Sequence, residues 1–308
     1  MIDIKRPDFM HNAAAKHGRN IFAELGISLL LKVILSVISL GVEAAVTFIL
    51  LTAANFGNQA DIMLVPIVSA AIGVLSSVLM IVCAVLYCRV FEKRGADTMG
   101  FTKKGAVRQY LIGALAGLAV FAAAYLICAV FGGVKVSDTT ADYILSLLPG
   151  CVSLLAAGLA NAVFYYGYLM VSISRRYSVV TAVIASALLS SLAQFLNYIL
   201  SELRKSSPSF DLLLLIIVFL SLFLFDAAGM LMMIRSQNIW TAAAFGTVLK
   251  LCQLIFTALF TLNANDVITG GYYGILRGTA SAIALAAVAA ALLYSLKKKG
   301  GLLTDKRG

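Results

Sequence analysis

The chain has 308 residues, is 61% hydrophobic and only 12% charged, and combines a net charge of +10 with a mean hydropathy of +0.98. Soluble domains run about 45–50% apolar and about 25% charged, so this composition excludes a soluble enzyme, a disordered chain and a fibre. A polytopic membrane protein is what remains.

Residues 1–20 are polar, hold both histidines (His11 and His17) and are expected to form a surface helix ahead of the first span. The first apolar run begins near residue 21, is long and has no small-residue cleavage site, so no removable signal peptide is expected. A helix needs roughly 20 apolar residues to cross about 30 Å of hydrocarbon. Eight runs meet that length: 25–52, 62–88, 109–132, 143–173, 179–200, 212–234, 239–262 and 276–296. Only helices satisfy their own backbone groups in lipid without closing a barrel, so the fold class is an all-α polytopic bundle. Composition divides the chain into a segment 1–20, a three-helix accessory membrane region 21–132, a four-helix core 143–262, and a last span with a basic tail, 263–308. Pro149 is expected to bend the start of the fourth span. The final residues, Thr304 to Gly308, carry no prenylation box.

The N-terminal segment, the loops 89–108, 174–178 and 235–238, and the tail together hold 18 of the 24 lysines and arginines. The opposite loops hold Lys135, Arg204, Lys205 and Arg277. This bias predicts a plasma membrane protein with both termini in the cytoplasm. The basic runs Lys93-Arg94, Lys103-Lys104 and Lys297-Lys298-Lys299 then read as topology signals beside the anionic headgroups of the bilayer. No aromatics interleave them, so a nucleic-acid partner is not expected.

Motifs of soluble chemistry are missing. No phosphate loop or dinucleotide fingerprint occurs, so no cofactor is expected. Cys83, Cys88, Cys128, Cys151 and Cys252 are odd in number and lie inside apolar runs without metal-like spacing. No histidine lies in any span and only Glu43 and Asp226 supply carboxylates there, which leaves a metal without ligands. Gly113-x-x-x-Gly117 permits close helix contact, with packing inside the bundle favoured over dimerisation.

Three stretches carry a resemblance. Glu92-Lys93-Arg94 with Met99-Gly100-Phe101-Thr102-Lys103-Lys104, and then Gln109-Tyr110-Leu111-Ile112-Gly113, resemble the loop and helix that precede the core of the CPBP family. These are the CAAX-processing and bacteriocin-protection (Abi) intramembrane proteases. Arg235-Ser236-Gln237-Asn238-Ile239-Trp240-Thr241-Ala242 resembles that family's turn into a new core helix. The resemblance implies a bacterial membrane endopeptidase in which a glutamate activates water and histidine holds the oxyanion. The family's motifs are Glu-Glu-x-x-x-Arg, Phe-x-x-x-His and His-x-x-x-Asn or Asp. The first falls here on Asn161, Ala162 and Tyr166. The second falls on Ser190 and Gln194, with Ala193 and Asn197 as the alternative register, and the third on Gly246 and Lys250. An amide at Asn161 cannot accept a proton, so no catalytic residue is assigned. The reading is therefore a degenerate member that binds a hydrophobic or lipidated peptide or a membrane-protein partner. An active CAAX or bacteriocin-processing protease is the alternative. A small-solute transporter component is a second, against which the absence of internal repeats counts.

Asn161, Ser190, Gln194, Asp226 and Lys250 form an intramembrane polar layer, at depths of roughly 12 to 22 Å for about 1.5 Å of rise per residue. Such a layer either hydrogen-bonds the helices together or lines a ligand cavity. Asp226 and Lys250, on consecutive antiparallel helices, are expected to pair as buried ions. Lys32 and Glu43 fall on one face of the first span, each snorkelling or meeting another helix. Phe164, Tyr165, Tyr166 and Tyr168 are expected to fill a helix interface, stacking on a prenyl-like chain being the other use.

Overall fold

A computed structural model of the chain describes residues 7–14, 20–55, 64–102, 105–131, 135–137, 146–203, 211–261, 268 and 275–304. Lys103, Lys104, Arg204, Lys205, His17 and the side chain of Glu43 lie outside the described residues. All eight expected spans are helices long and apolar enough to cross a membrane. A short helix α1 (Asp8–Ala14) is followed by α2 (Ile21–Asn55), α3 (Leu64–Val90) and α4 (Ala106–Phe131). Then come α5 (Leu148–Ser174), α6 (Val179–Leu203), α7 (Leu212–Ser236), α8 (Ile239–Leu259) and α9 (Thr279–Thr304). Two residues of β1 (Lys135–Val136) pair antiparallel with β2 (Phe260–Thr261) and tie the far ends of α4 and α8 together.

Burial rises along the chain, from 11% of the first span's residues to 44% in each of the last three. The exposed face of α2, with Leu29, Leu30, Val33 and Val37, is apolar, whereas the buried side chains of this helix among the described residues are Glu24 and Ser28. Lipid solvates such a helix, and hydrophobicity does not drive helices together there; close packing does. The packing follows from small residues. A side chain at Gly113 would strike the backbone carbonyl of Thr241, and one at Gly117 would stand 3.0 Å from the Phe245 carbonyl. The Gly-x-x-x-Gly face of α4 is thus spent on α8 inside the same chain. Gly158 of α5 is pressed in the same way against Thr247 of α8. The shared partner α8 is accordingly one of the most buried helices.

Two features differ from the sequence reading. The helix of the fourth span starts at Leu148 and not at 143, with Pro149 in its first turn, where the missing N–H has no partner to lose. The irregularity comes later, where Ala162–Met170 run as a wholly buried π-helix between two α-helical segments. Such wide turns are rare and often accompany functional positions. The N-terminal polar segment does contain a helix, α1, which buries Phe9, Met10 and Ala13 and leaves Asp8 and His11 exposed. It packs on the short turn Ala96–Met99 and the end of α5.

Candidate functional site: a polar cavity within the membrane

The polar layer exists, but its members are divided between two environments. Asp226 is 1% exposed on α7. Gly229, on the same helix, gives the Tyr166 ring room, since a Cβ there would approach the Tyr166 hydroxyl to 3.0 Å. Tyr166, carried by the π segment of α5, donates to Asp226 Oδ1 at 2.9 Å. Gln194 of α6 donates from Nε2 to Oδ2 at 2.8 Å. The Ser190 hydroxyl, one turn away on α6, is a third donor to the carboxylate and itself lies 3.5 Å from Gln194 Nε2. Asp226 therefore joins α5, α6 and α7.

Lys250 does not close the expected ion pair. Among the described residues the direct ion pairs involve Glu92 with Arg94 and Arg175, not Asp226 with Lys250. The physical reason is that the two carboxylate oxygens already face Tyr166 and Gln194. Lys250 sits close enough to feel the carboxylate's charge, but its ammonium lies 5.5 Å from the centre of the Phe225 ring. It faces a cavity of about 480 Å³ that Asn161, Gln194, Asn197 and Lys32 also line. Lys32 reaches in from α2, with Nζ 3.3 Å from Met80 Sδ and 5.8 Å from the Tyr165 ring centre. A second cavity, of about 410 Å³, also borders Lys250, shares Gln194 and Asn197 with the first and extends to Arg277. A third, of about 330 Å³, is mainly apolar and runs between α2 and α6.

Of the positions aligned with the family's catalytic groups, Asn161, Gln194 and Lys250 line one cavity, and Tyr166 and Ser190 bind Asp226. Ala162 is buried in the helix interface, 1% exposed. At Gly246 a Cβ would come within 3.3 Å of the Phe225 ring, so a larger side chain would displace that ring. The alternative register also places Ala193 and Asn197 on the cavity wall. The four aromatics are all buried, and Phe164 and Tyr168 meet edge to face within the interface. Tyr165 alone of them faces the cavity.

A second buried cluster lies at the end of α3. Arg94 had the sequence signature of a headgroup-facing charge, yet it is 7% exposed. It hydrogen-bonds Glu92, donates to the Tyr168 carbonyl at 3.1 Å and reaches Ser172 Oγ at 2.8 Å. Arg175 stands 3.7 Å from Glu92. The cue was the glutamate inside the basic run, which a count of positive charges passes over. Lys93, by contrast, is exposed, as are Lys297 and Lys298.

The stretches that carry the family resemblance touch one another. Ile239 N–H donates to the Gly100 carbonyl at 3.0 Å, and Phe101 meets Trp240 edge to face at 6.0 Å. Thr241 Oγ1 donates to Gln109 Oε1 at 3.1 Å. Gly100 has φ +82°, a conformation that favours glycine, and it lies under Met233 and Ile239. Comparisons with protein-family models, curated proteins and solved structures find no match for this chain.

Proposed function

We propose that this chain is a ligand-binding membrane protein on a CPBP-like scaffold, degenerate for proteolysis. It takes a hydrophobic or lipidated peptide, or a segment of a membrane partner, into the cavity beside Lys250. One observation carries the reading. Asn161, Gln194 and Lys250, at the positions where the resemblance places the family's catalytic groups, share a cavity wall that carries neither the glutamate nor the histidine on which that family's mechanism depends. The mutual contact of the resembling stretches supports the scaffold, because they are far apart in sequence and adjacent in space. The charge bias supports an orientation with both termini cytoplasmic, and the resemblance is what suggests the plasma membrane of a bacterium.

The test is a peptidase assay on detergent-purified protein with a lipidated peptide, run beside Asn161→Glu/Ala162→Glu. Neither protein is expected to cleave, since glycine at 246 still offers no histidine and the Phe225 ring fills that space. Cleavage by the wild type that disappears in Asn161→Ala would overturn the reading.

A further inference from the structure

We infer that the cavity between Lys32 and Lys250 is the headgroup site for a single-chain anionic lipid. Its carboxylate or phosphate lies at the two ammoniums and its chain lies in the groove between α2 and α6. This rests on the ligand-binding reading above and assigns the cavity an anionic lipid in place of the peptide.

The first argument is charge. Lys32 and Lys250 line one cavity and are close enough to repel each other. Neither joins a direct ion pair among the described residues, and the oxygens of Asp226 are taken by Tyr166 and Gln194. The partners recorded for Lys32 are a thioether and two aromatic faces. Cations at this depth are costly unless an anion or water compensates them. The cavity is therefore positive and complementary to an anion, with the amides of Asn161 and Asn197 as further donors.

The second argument is shape. Lys32, Ser36, Tyr165, Ala193 and Asn197 line both the cavity and the apolar groove, so the two are continuous. The groove's outer walls are Val33 and Val37 of α2 and Leu192 and Leu196 of α6, all of them exposed at the bundle surface. No substantial contact joins α2 to α6 among the described residues, which leaves the gap open sideways. An apolar slot that opens on the bilayer and ends at two ammoniums matches an amphiphile entering head first. At about 330 Å³ the groove is at the small end of ligand sites, which span about 300–1,000 Å³, and suits one chain rather than two. A neutral ligand would leave both ammoniums unmatched, and an inorganic anion would leave the groove unused.

The experiment measures binding to the purified full chain in a neutral detergent, by native mass spectrometry and by thermal shift. The probes are dodecyl phosphate, palmitate, dodecanol and inorganic phosphate. One dodecyl phosphate or palmitate per chain is expected to bind and stabilise, about tenfold or more tightly than dodecanol. Lys32→Gln and Lys250→Gln should each lose that preference, while Ala193→Phe should block the chain and weaken dodecyl phosphate and dodecanol together. Circular dichroism and gel filtration establish that each variant is folded, and Ala193→Phe leaves both lysines in place should the charge variants fail to fold. Equal binding of dodecanol and dodecyl phosphate would overturn the inference yet leave a hydrophobic-ligand site standing. Inorganic phosphate binding as tightly as dodecyl phosphate would reduce the site to a simple anion site. Binding of none of the probes would sink the inference, whereas peptide cleavage by the wild type would sink the reading beneath it.

Discussion

Replacing Asp226 with leucine removes the acceptor on which Tyr166, Gln194 and Ser190 converge. An interhelical hydrogen bond in a membrane protein is worth about 0.6 kcal/mol on average and about 1.7 at most. The three lost bonds then amount to about 2 kcal/mol, and donors left buried without a partner add about 1–3 kcal/mol each where water cannot reach them. Tyr166 is fully within the bundle, but Gln194 borders the cavity and can turn to water, so only part of that second cost applies. The expected destabilisation is about 2–5 kcal/mol. Unfolding can be followed with a thiol-reactive fluorogenic dye, because the thiols of Cys88 and Cys128 are buried and outside any disulfide. Adding Tyr166→Phe and Gln194→Leu to Asp226→Leu removes the orphaned donors and should restore part of the loss, giving a coupling of about 1–3 kcal/mol. A triple variant whose loss equals the sum of the three single losses would show that these donors do not act on Asp226.

Glu92→Leu strands the buried guanidinium of Arg94 beside Arg175 and should cost about 3–5 kcal/mol, while Glu92→Leu/Arg94→Leu should cost much less; the same dye assay compares them. Gly113→Val forces α4 off the Thr241 carbonyl and should destabilise the fold by about 1–3 kcal/mol. Its oligomeric state, read by gel filtration with light scattering, should be unchanged; a dimer that dissociates in this variant would contradict the intramolecular assignment of that glycine face. Asn238→Ala removes the side chain that accepts from Trp240 N–H at 3.0 Å at the start of α8, for an expected loss of about 1 kcal/mol.

The eight spans were legible because length and apolar content are properties of one segment at a time. The facing of a side chain is a property of the whole bundle, and there the sequence misled at particular residues. Asp226 and Lys250 are at similar depth on neighbouring helices, which made them natural partners. Depth says nothing about rotation around the helix axis, and Tyr166 and Gln194 reach the carboxylate from α5 and α6 instead. Pro149 was read by its power to break a helix, but in a first turn that power is idle. No simple residue pattern announced the π segment Ala162–Met170. Arg94 was read as one positive charge among several because Glu92, its partner two residues earlier, counted only as a charge of the other sign.

The division of the polar layer has a consequence for what the cavity can do. Gln194 belongs to both halves, donating to Asp226 while lining the space that Lys250 and Lys32 face. Because Asp226 is held by neutral donors rather than by a lysine, its binding leaves the cavity's positive charge uncancelled by a direct ion pair. Had Lys250 paired with Asp226, that part of the layer would have been structural and the cavity would have kept only the charge of Lys32. The three neutral donors are thus what separates the structural task from the binding one. They hold α5, α6 and α7 together around one carboxylate, and they leave two ammoniums at the end of an apolar groove for a ligand to meet.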